Sequence, residues 1–144
     1  MDDVEILLVE DNPADVELTL RALKKNSIAS RVQVAEDGEV VLNFLFGHGE
    51  FSSRNTDNKP NVVLLDLNLP KVDGLEVLRT IKSNPKTQAI PVVVLTTSKQ
   101  ETDIIESYRL GANSYIVKPV DFEKFVDSVR ELGMYWLSIN QPPL

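Results

Sequence analysis

The sequence predicts an α/β fold: a doubly wound, five-stranded parallel sheet of strand order 2-1-3-4-5 with five helices. Three observations carry this. Short β-branched runs alternate with longer stretches whose apolar residues recur at helical spacing, over a chain of 144 residues. The runs VVLL and VVVL are apolar throughout, as strands covered on both faces are, whereas a half-exposed strand alternates. Strand–helix–strand units of this kind join parallel strands by right-handed crossovers and place helices on both faces.

Each element has its own signal. Residues 4–9 (VEILLV) form the first strand. Asn12 and Pro13 follow: a side-chain acceptor for the free N–H groups of a helix start, then a residue whose missing N–H needs no partner there. Val16, Leu20 and Leu23 share one helical face, so that helix runs to about Asn26. Residues 31–35 are a second, shorter strand, and residues 37–46 a second helix with Val40, Val41, Phe44 and Leu45 on its apolar side. GHGEFSSRNTDNKP, residues 47–60, is rich in Gly, Ser, Asn and Asp and reads as a long surface loop. Residues 61–66 are the third strand, 73–82 the third helix, 91–96 the fourth strand, 100–110 the fourth helix and 114–117 the fifth strand. Asp121 caps a last helix reaching about Leu137, and the tail NQPPL is irregular. The expectation is one domain over residues 1–144, with a long loop at 47–60 and a C-terminal extension at 133–144.

Composition narrows the function. Apolar residues make up 42% of the chain and charged residues 26%, a globular mixture. The absence of cysteine excludes disulfides and thiolate metal sites and fits a reducing compartment. The N-terminus has no basic segment, and its apolar run is too short for a signal peptide or a membrane span. A cytoplasmic protein without membrane contact is expected. A net charge of −7 repels phosphate backbones, so nucleic acid is not an expected partner.

In sheets of this order, ligands bind beyond the carboxyl ends of the strands where the order reverses, here between the first and third. The first strand ends in Glu10 and Asp11, and the third runs straight into Asp66. Two carboxylates about 4 Å apart repel by about 1 kcal/mol in water and about 4 kcal/mol at an effective dielectric of 20. The group therefore calls for a cation. Oxygen ligands without His or Cys favour a hard ion, Mg²⁺ ahead of Ca²⁺, because the small set leaves room for water and a phosphate. The fourth strand stops at Thr96, with Thr97 and Ser98 behind it; the fifth stops at Lys118, before Pro119. A carboxylate can act as a nucleophile and form an aspartyl-phosphate. A metal would neutralise phosphoryl oxygens, Lys118 would add a point charge and Thr96 a hydrogen-bond donor.

Taken singly, these residues also have plainer readings. Glu10 and Asp11 are good company for a helix N-terminus. Asp66 alone reads as a solvated acid at a strand end, Thr96 as a strand former and Lys118 as a surface lysine. Asp73 and Gly74 read as a turn and helix cap. His48 reads as a solvated loop residue. Met134, Tyr135, Trp136 and Leu137 either cover the core or form an exposed apolar patch. Only the joint occurrence of acids, hydroxyl and ammonium at strand ends favours a site.

That joint pattern resembles the receiver domain of two-component response regulators, over about residues 4–132. The motifs are VED at 9–11, LLDLNLPKVDG at 64–74, LTTS at 95–98 and YIVKP at 115–119. The resemblance implies the flavodoxin-like fold and a phosphoacceptor rather than an enzyme. Asp66 would take a phosphoryl group from a phosphohistidine on a sensor histidine kinase. Asp11, Asp66 and the Asn68 main-chain carbonyl would bind Mg²⁺, with Glu10 helping through water. Thr96 and Tyr115 would be a switch pair, the hydroxyl moving toward the phosphate and the ring turning inward. Lys118 would bridge to the phosphate, and the Lys118–Pro119 bond would be cis. The loop at 47–60 and the apolar tail, with no output domain following, are similar to the single-domain regulators that partner cyanobacterial phytochromes. A homodimer is expected through the fourth helix, fifth strand, last helix and tail.

Two rival functions share the fold. An aspartate-nucleophile phosphatase needs a general acid two residues after the nucleophile, and that position is Asn68. A flavodoxin cradles phosphate with hydroxyl and glycine residues after the first strand, where EDNPAD presents negative charge instead.

Overall fold

The structure is a computed structural model that describes residues 4–25, 31–119 and 121–142. Five strands, β1 (Ile6–Val9), β2 (Val32–Ala35), β3 (Val62–Leu65), β4 (Val92–Thr96) and β5 (Ser114–Val117), form one sheet of order β2-β1-β3-β4-β5. Every pairing is parallel. The helices between and after them are α1 (Pro13–Lys25), α2 (Gly38–Phe46), α3 (Gly74–Ser83), α4 (Glu101–Leu110) and α5 (Phe122–Met134). The predicted flavodoxin-like order and the five helices are therefore observed. None of the described helices is long and apolar enough to cross a membrane.

Strand periodicity divides the core in two. Leu7, Val9, Val63, Leu65, Val92 and Val94 face α2 and α3, where Phe44, Val77, Leu78 and Ile81 close the layer. Ile6, Leu8, Val62, Leu64, Val93 and Leu95 point the other way, onto Ala22 and Leu23 of α1 and Phe125, Val129 and Leu132 of α5. Each fully buried Val, Leu or Ile contributes about 1.5–3 kcal/mol of transfer free energy. Because both faces are covered, the central strands can be apolar at every position.

Local chemistry sets the element ends. The Asn12 side chain accepts from the Ala14 and Asp15 amides, so Pro13 opens α1 as expected. Asp37, Asp73 and Asp121 cap α2, α3 and α5 through their carboxylates. Gly111 ends α4 at φ 109, a conformation in which a Cβ would be strained.

Four expectations need correction or trimming. The first and second strands begin at Ile6 and Val32, later than 4 and 31, and Asn26 lies outside the described residues. The loop at 47–60 contains a 3₁₀ turn, Gly49–Phe51, and is tied down by a side chain treated below. The last helix does not run evenly to Leu137: α5 stops at Met134 and the chain continues as a π-helical turn, Tyr135–Ile139. No peptide bond among the described residues is cis, so Lys118–Pro119 is trans; the two forms of an X–Pro bond differ by only about 0.5–1 kcal/mol.

Candidate functional site

Register builds the site. Val9 pairs with Leu65, so the next residues, Glu10 and Asp66, leave the sheet side by side. The Asp66 amide donates to the Val9 carbonyl at 3.0 Å and the Glu10 amide to Ala35 at 3.0 Å, holding both strand ends past the last ladder pair. Thr96 closes β4, and the Lys118 amide donates to its carbonyl at 2.7 Å. The four residues sit at the carboxyl ends of β1, β3, β4 and β5, and all are buried: Glu10 is 3% exposed, Asp66 6%, Thr96 0% and Lys118 8%.

Each oxygen of Asp66 has a defined donor. Oδ1 accepts from the Thr96 hydroxyl at 2.8 Å and from the Asn68 amide at 3.1 Å. Oδ2 accepts from Lys118 Nζ at 3.0 Å. The ammonium also reaches Glu10 Oε1 at 2.5 Å and Asp15 Oδ2 at 2.8 Å. Three carboxylates thus share one lysine, whose three protons are all engaged.

The electrostatics follow from that sharing. Burial pushes the Glu10 carboxyl up to about 7, against the hydrogen bond from Lys118, and the neighbouring Asp66 charge adds to the rise. Burial acts on Asp66 in the same sense, but the Asn68 amide, the Lys118 charge and the Thr96 hydroxyl outweigh it, so Asp66 lies below its usual value. Burial pulls Lys118 down, yet Asp15, Glu10 and Asp66 hold it above the ordinary lysine range. Asp66 is therefore an ionised, desolvated carboxylate, and Lys118 a firmly protonated ammonium.

The expected metal ligands are Asp11, Asp66 and the Asn68 carbonyl, with Glu10 behind. Asp11 and Asn68 are exposed, at the end of β1 and in the β3–α3 loop. Among the described residues, no three His, Cys, Asp or Glu side chains are grouped as a metal cluster by themselves. The donor chemistry, the buried Asp66 carboxylate with the exposed Asp11 carboxylate and the main-chain carbonyl of the exposed Asn68, fits a hard cation that keeps several waters. With three acids against one ammonium, the crevice also retains negative charge for a cation to neutralise.

Beyond Thr96 a second network begins. The Tyr115 hydroxyl donates to the Ser98 carbonyl at 3.0 Å, and burial holds its phenol above the usual value. The Ser98 hydroxyl donates to Asp103 of α4 at 2.6 Å. Thr96 is thus already on Asp66, and the Tyr115 ring already reaches the β4–α4 loop. Sequence reasoning missed Asp15 and Asp103, which sit in the first turns of α1 and α4, where acids are common for the helix dipole alone. Beside Glu10 and Asp11 a groove of about 610 Å³ is lined along α1 by Pro13, Val16 and Leu20, with Arg21 and Lys24 also on its wall. His48 is exposed in the loop, away from the site.

Comparison with known proteins shows the family and the fold. The family model of the response regulator receiver domain matches residues 6–130. The Probable methanogenesis regulatory protein FilR2 of Methanothrix harundinacea is 45% identical over 138 residues, 96% of this chain and 86% of that one. Response regulator Rcp1 of Synechocystis is 44% identical over 132 residues, 92% of this chain and 88% of that one. The crystal structure of its Mn²⁺-bound form superposes with a TM-score of 0.90 at 42% identity, covering 98% of this chain and 99% of that one. The phosphorylated cyanobacterial phytochrome response regulator RcpA gives a TM-score of 0.91 at 41% identity, with 98% and 99% covered.

Proposed function

The chain belongs to the response regulator receiver domain family, and from that premise we propose that it is a phosphorylation switch with Asp66 as phosphoacceptor. Receivers are phosphoacceptors rather than conventional enzymes, they bind a divalent metal, and their partner is a sensor histidine kinase. The observation that carries the assignment is the environment of Asp66: a buried carboxylate held by a hydroxyl and an amide on one oxygen and an ammonium on the other.

Transfer begins with an Asp66 oxygen attacking the phosphorus of a phosphohistidine. An O–P bond forms, the P–N bond breaks, and its electron pair returns to the imidazole of the kinase. Lys118 and the Thr96 hydroxyl then face the new phosphoryl oxygens in place of the carboxylate oxygens they now hold, an electrostatic stabilisation that needs little rearrangement. Asp11, Asp66 and the Asn68 carbonyl would hold Mg²⁺, with Glu10 acting through water. When bound, the metal supplies the charge neutralisation that lets a second anion approach the acids. Release of Thr96 from the carboxylate toward the phosphoryl group would be felt along Ser98, Asp103 and Tyr115, and so at the start of α4. Asn68, two residues after the nucleophile, lacks a transferable proton and disfavours a phosphatase.

The upstream kinase is proposed to be a phytochrome-type light sensor in the cytoplasm. The support is similarity across nearly the whole chain to RcpA and Rcp1, tail included. FilR2, a probable methanogenesis regulatory protein, is as similar in sequence. The groove along α1 offers the donor protein an apolar seat beside Glu10 and Asp11. The test is phosphotransfer from a phytochrome histidine kinase in red and far-red light, with Asp66→Asn alongside. Light-dependent transfer to the wild type and none to the variant is expected. Undiminished labelling of the variant contradicts Asp66, and labelling only by light-independent kinases contradicts the phytochrome link.

A further inference from the structure

The loop that carries Asp66 and Asn68 is gripped from outside by the first turn of α2. Between β3 and α3 the chain passes through Lys71 at φ 66, a left-handed conformation. A residue with a Cβ bears about 1–2 kcal/mol there, so surrounding structure must impose it. The Gly38 amide donates to the Pro70 carbonyl at 3.3 Å. A Cβ on Gly38 would lie 2.0 Å from the Val72 carbonyl oxygen and 2.6 Å from its Cβ, so only glycine fits. Lys71 Nζ stands 3.5 Å from Glu39 and 3.7 Å from Asp37, the residues on either side of that glycine. The other flank is equally close. A Cβ on Gly74 would lie 2.4 Å from the Leu67 Cα and 2.7 Å from the Asp66 carbonyl oxygen. The backbone on both sides of Asn68 is therefore pressed between two glycines, one from α3 and one from α2.

We infer that Gly38 and Lys71 are positioning residues for the metal and phosphoacceptor site, fixing the Asn68 main chain through the α2–loop clamp. This rests on the reading of Asp66 as phosphoacceptor and of the Asn68 carbonyl as a metal ligand. Neither residue touches Asp66. If the clamp slackens, residues 68–72 can relax Lys71 out of its strained conformation, and the Asn68 carbonyl turns with them. A purely structural contact would change stability and leave the metal affinity of the folded protein alone. The Lys71 ion pairs are exposed and contribute little to stability, so an effect of Lys71 on metal binding cannot pass through global unfolding.

The experiment is Mg²⁺ titration calorimetry on the full chain, with thermal melts and acetyl phosphate labelling in parallel. The variants are Gly38→Ala, Lys71→Asn and Lys71→Ala. Asn removes the ammonium but tolerates a left-handed φ, whereas Ala removes the ammonium and keeps the full strain. Gly38→Ala should weaken Mg²⁺ binding by about tenfold to about 100-fold, the range seen when outer-shell supports of a metal site are removed, and Lys71→Ala, which loses exposed ion pairs, by about two- to fivefold. Lys71→Asn should be affected less, and both Lys71 variants should melt like the wild type. Wild-type Mg²⁺ affinity in Gly38→Ala and Lys71→Ala overturns the proposal; should Gly38→Ala fail to fold, wild-type affinity in Lys71→Ala does so alone. A wild type that binds Mg²⁺ but takes no label defeats the Asp66 reading instead, and the variants' affinities still decide the clamp.

Discussion

At the scale of single residues, the account turns on Lys118 standing among Glu10, Asp15 and Asp66. Removing one partner of a buried ion pair leaves uncompensated charge and costs about 3–5 kcal/mol. Lys118→Met should therefore lower stability in urea at about pH 8 by about 3 kcal/mol, and Mg²⁺ should restore part of it. An unchanged midpoint would show that the ammonium does not neutralise the acids. Glu10 gives a pH test. Its carboxyl rises from 4.5 to about 7 on folding, so the folded state holds the proton more tightly than the unfolded chain. Its contribution to stability is complete below about 4.5 and lost as pH rises through about 7. Asp66 runs the other way: its depressed value adds stability above 3.8 that is lost only in acid. Metal-free wild type should thus lose stability between about pH 4.5 and about pH 7 relative to Glu10→Gln. Parallel stability profiles for the two proteins would contradict a raised Glu10. Glu10, Asp66, Thr96 and Lys118 were legible in the sequence because each follows a β-branched run, and strand ends converge in a parallel sheet. Asp15 was not, because its partner lies 103 residues away and no periodicity reports the reach of a lysine across the site.

At the scale of elements, helix starts and strand order were readable, and departures from the expected pattern came from side chains acting at a distance. The segment at 47–60 reads by composition as a long surface loop. Arg54 organises it: the guanidinium lies 3.9 Å over the Phe44 ring, donates to the Phe44 carbonyl at 2.8 Å and to the Asn58 carbonyl at 2.5 Å. Phe51 packs edge-on against the same ring at 5.1 Å. Composition cannot show this, because one arginine in a polar stretch ordinarily faces water. Arg54→Met retains some packing but loses both hydrogen bonds, and should cost about 2 kcal/mol while opening residues 47–60 to proteolysis. Cleavage no faster than in the wild type would show that the loop holds itself. The end of α5 was misread for a related reason. Helical spacing continues through Leu137, but Tyr135 and Trp136 stack edge to face at 4.9 Å where the chain widens into the π turn.

For the whole molecule, crossover handedness and fully apolar strands narrowed the topology to a doubly wound sheet, of which 2-1-3-4-5 is one of two common orders and the one observed. The surface is less constrained by such rules. Ile105 and Tyr108 on α4, Phe122 and Met134 on α5, and Tyr135 and Ile139 beyond it remain exposed. Apolar exposure signifies an interaction face only where it is contiguous. The proposed partner is a second copy, and light scattering at tens of micromolar should give a dimer that Ile139→Asp weakens; a monomer with and without phosphorylation would exclude it. The claim on which everything else depends is that Asp66 is a phosphoacceptor. Its most direct test is the intact mass of the wild type and Asp66→Asn after incubation with acetyl phosphate, with and without Mg²⁺. The account predicts one phosphoryl group on the wild type only, dependent on Mg²⁺ and lost at alkaline pH. An adduct of equal size on Asp66→Asn, or a folded, Mg²⁺-bound wild type that never gains one, would contradict it.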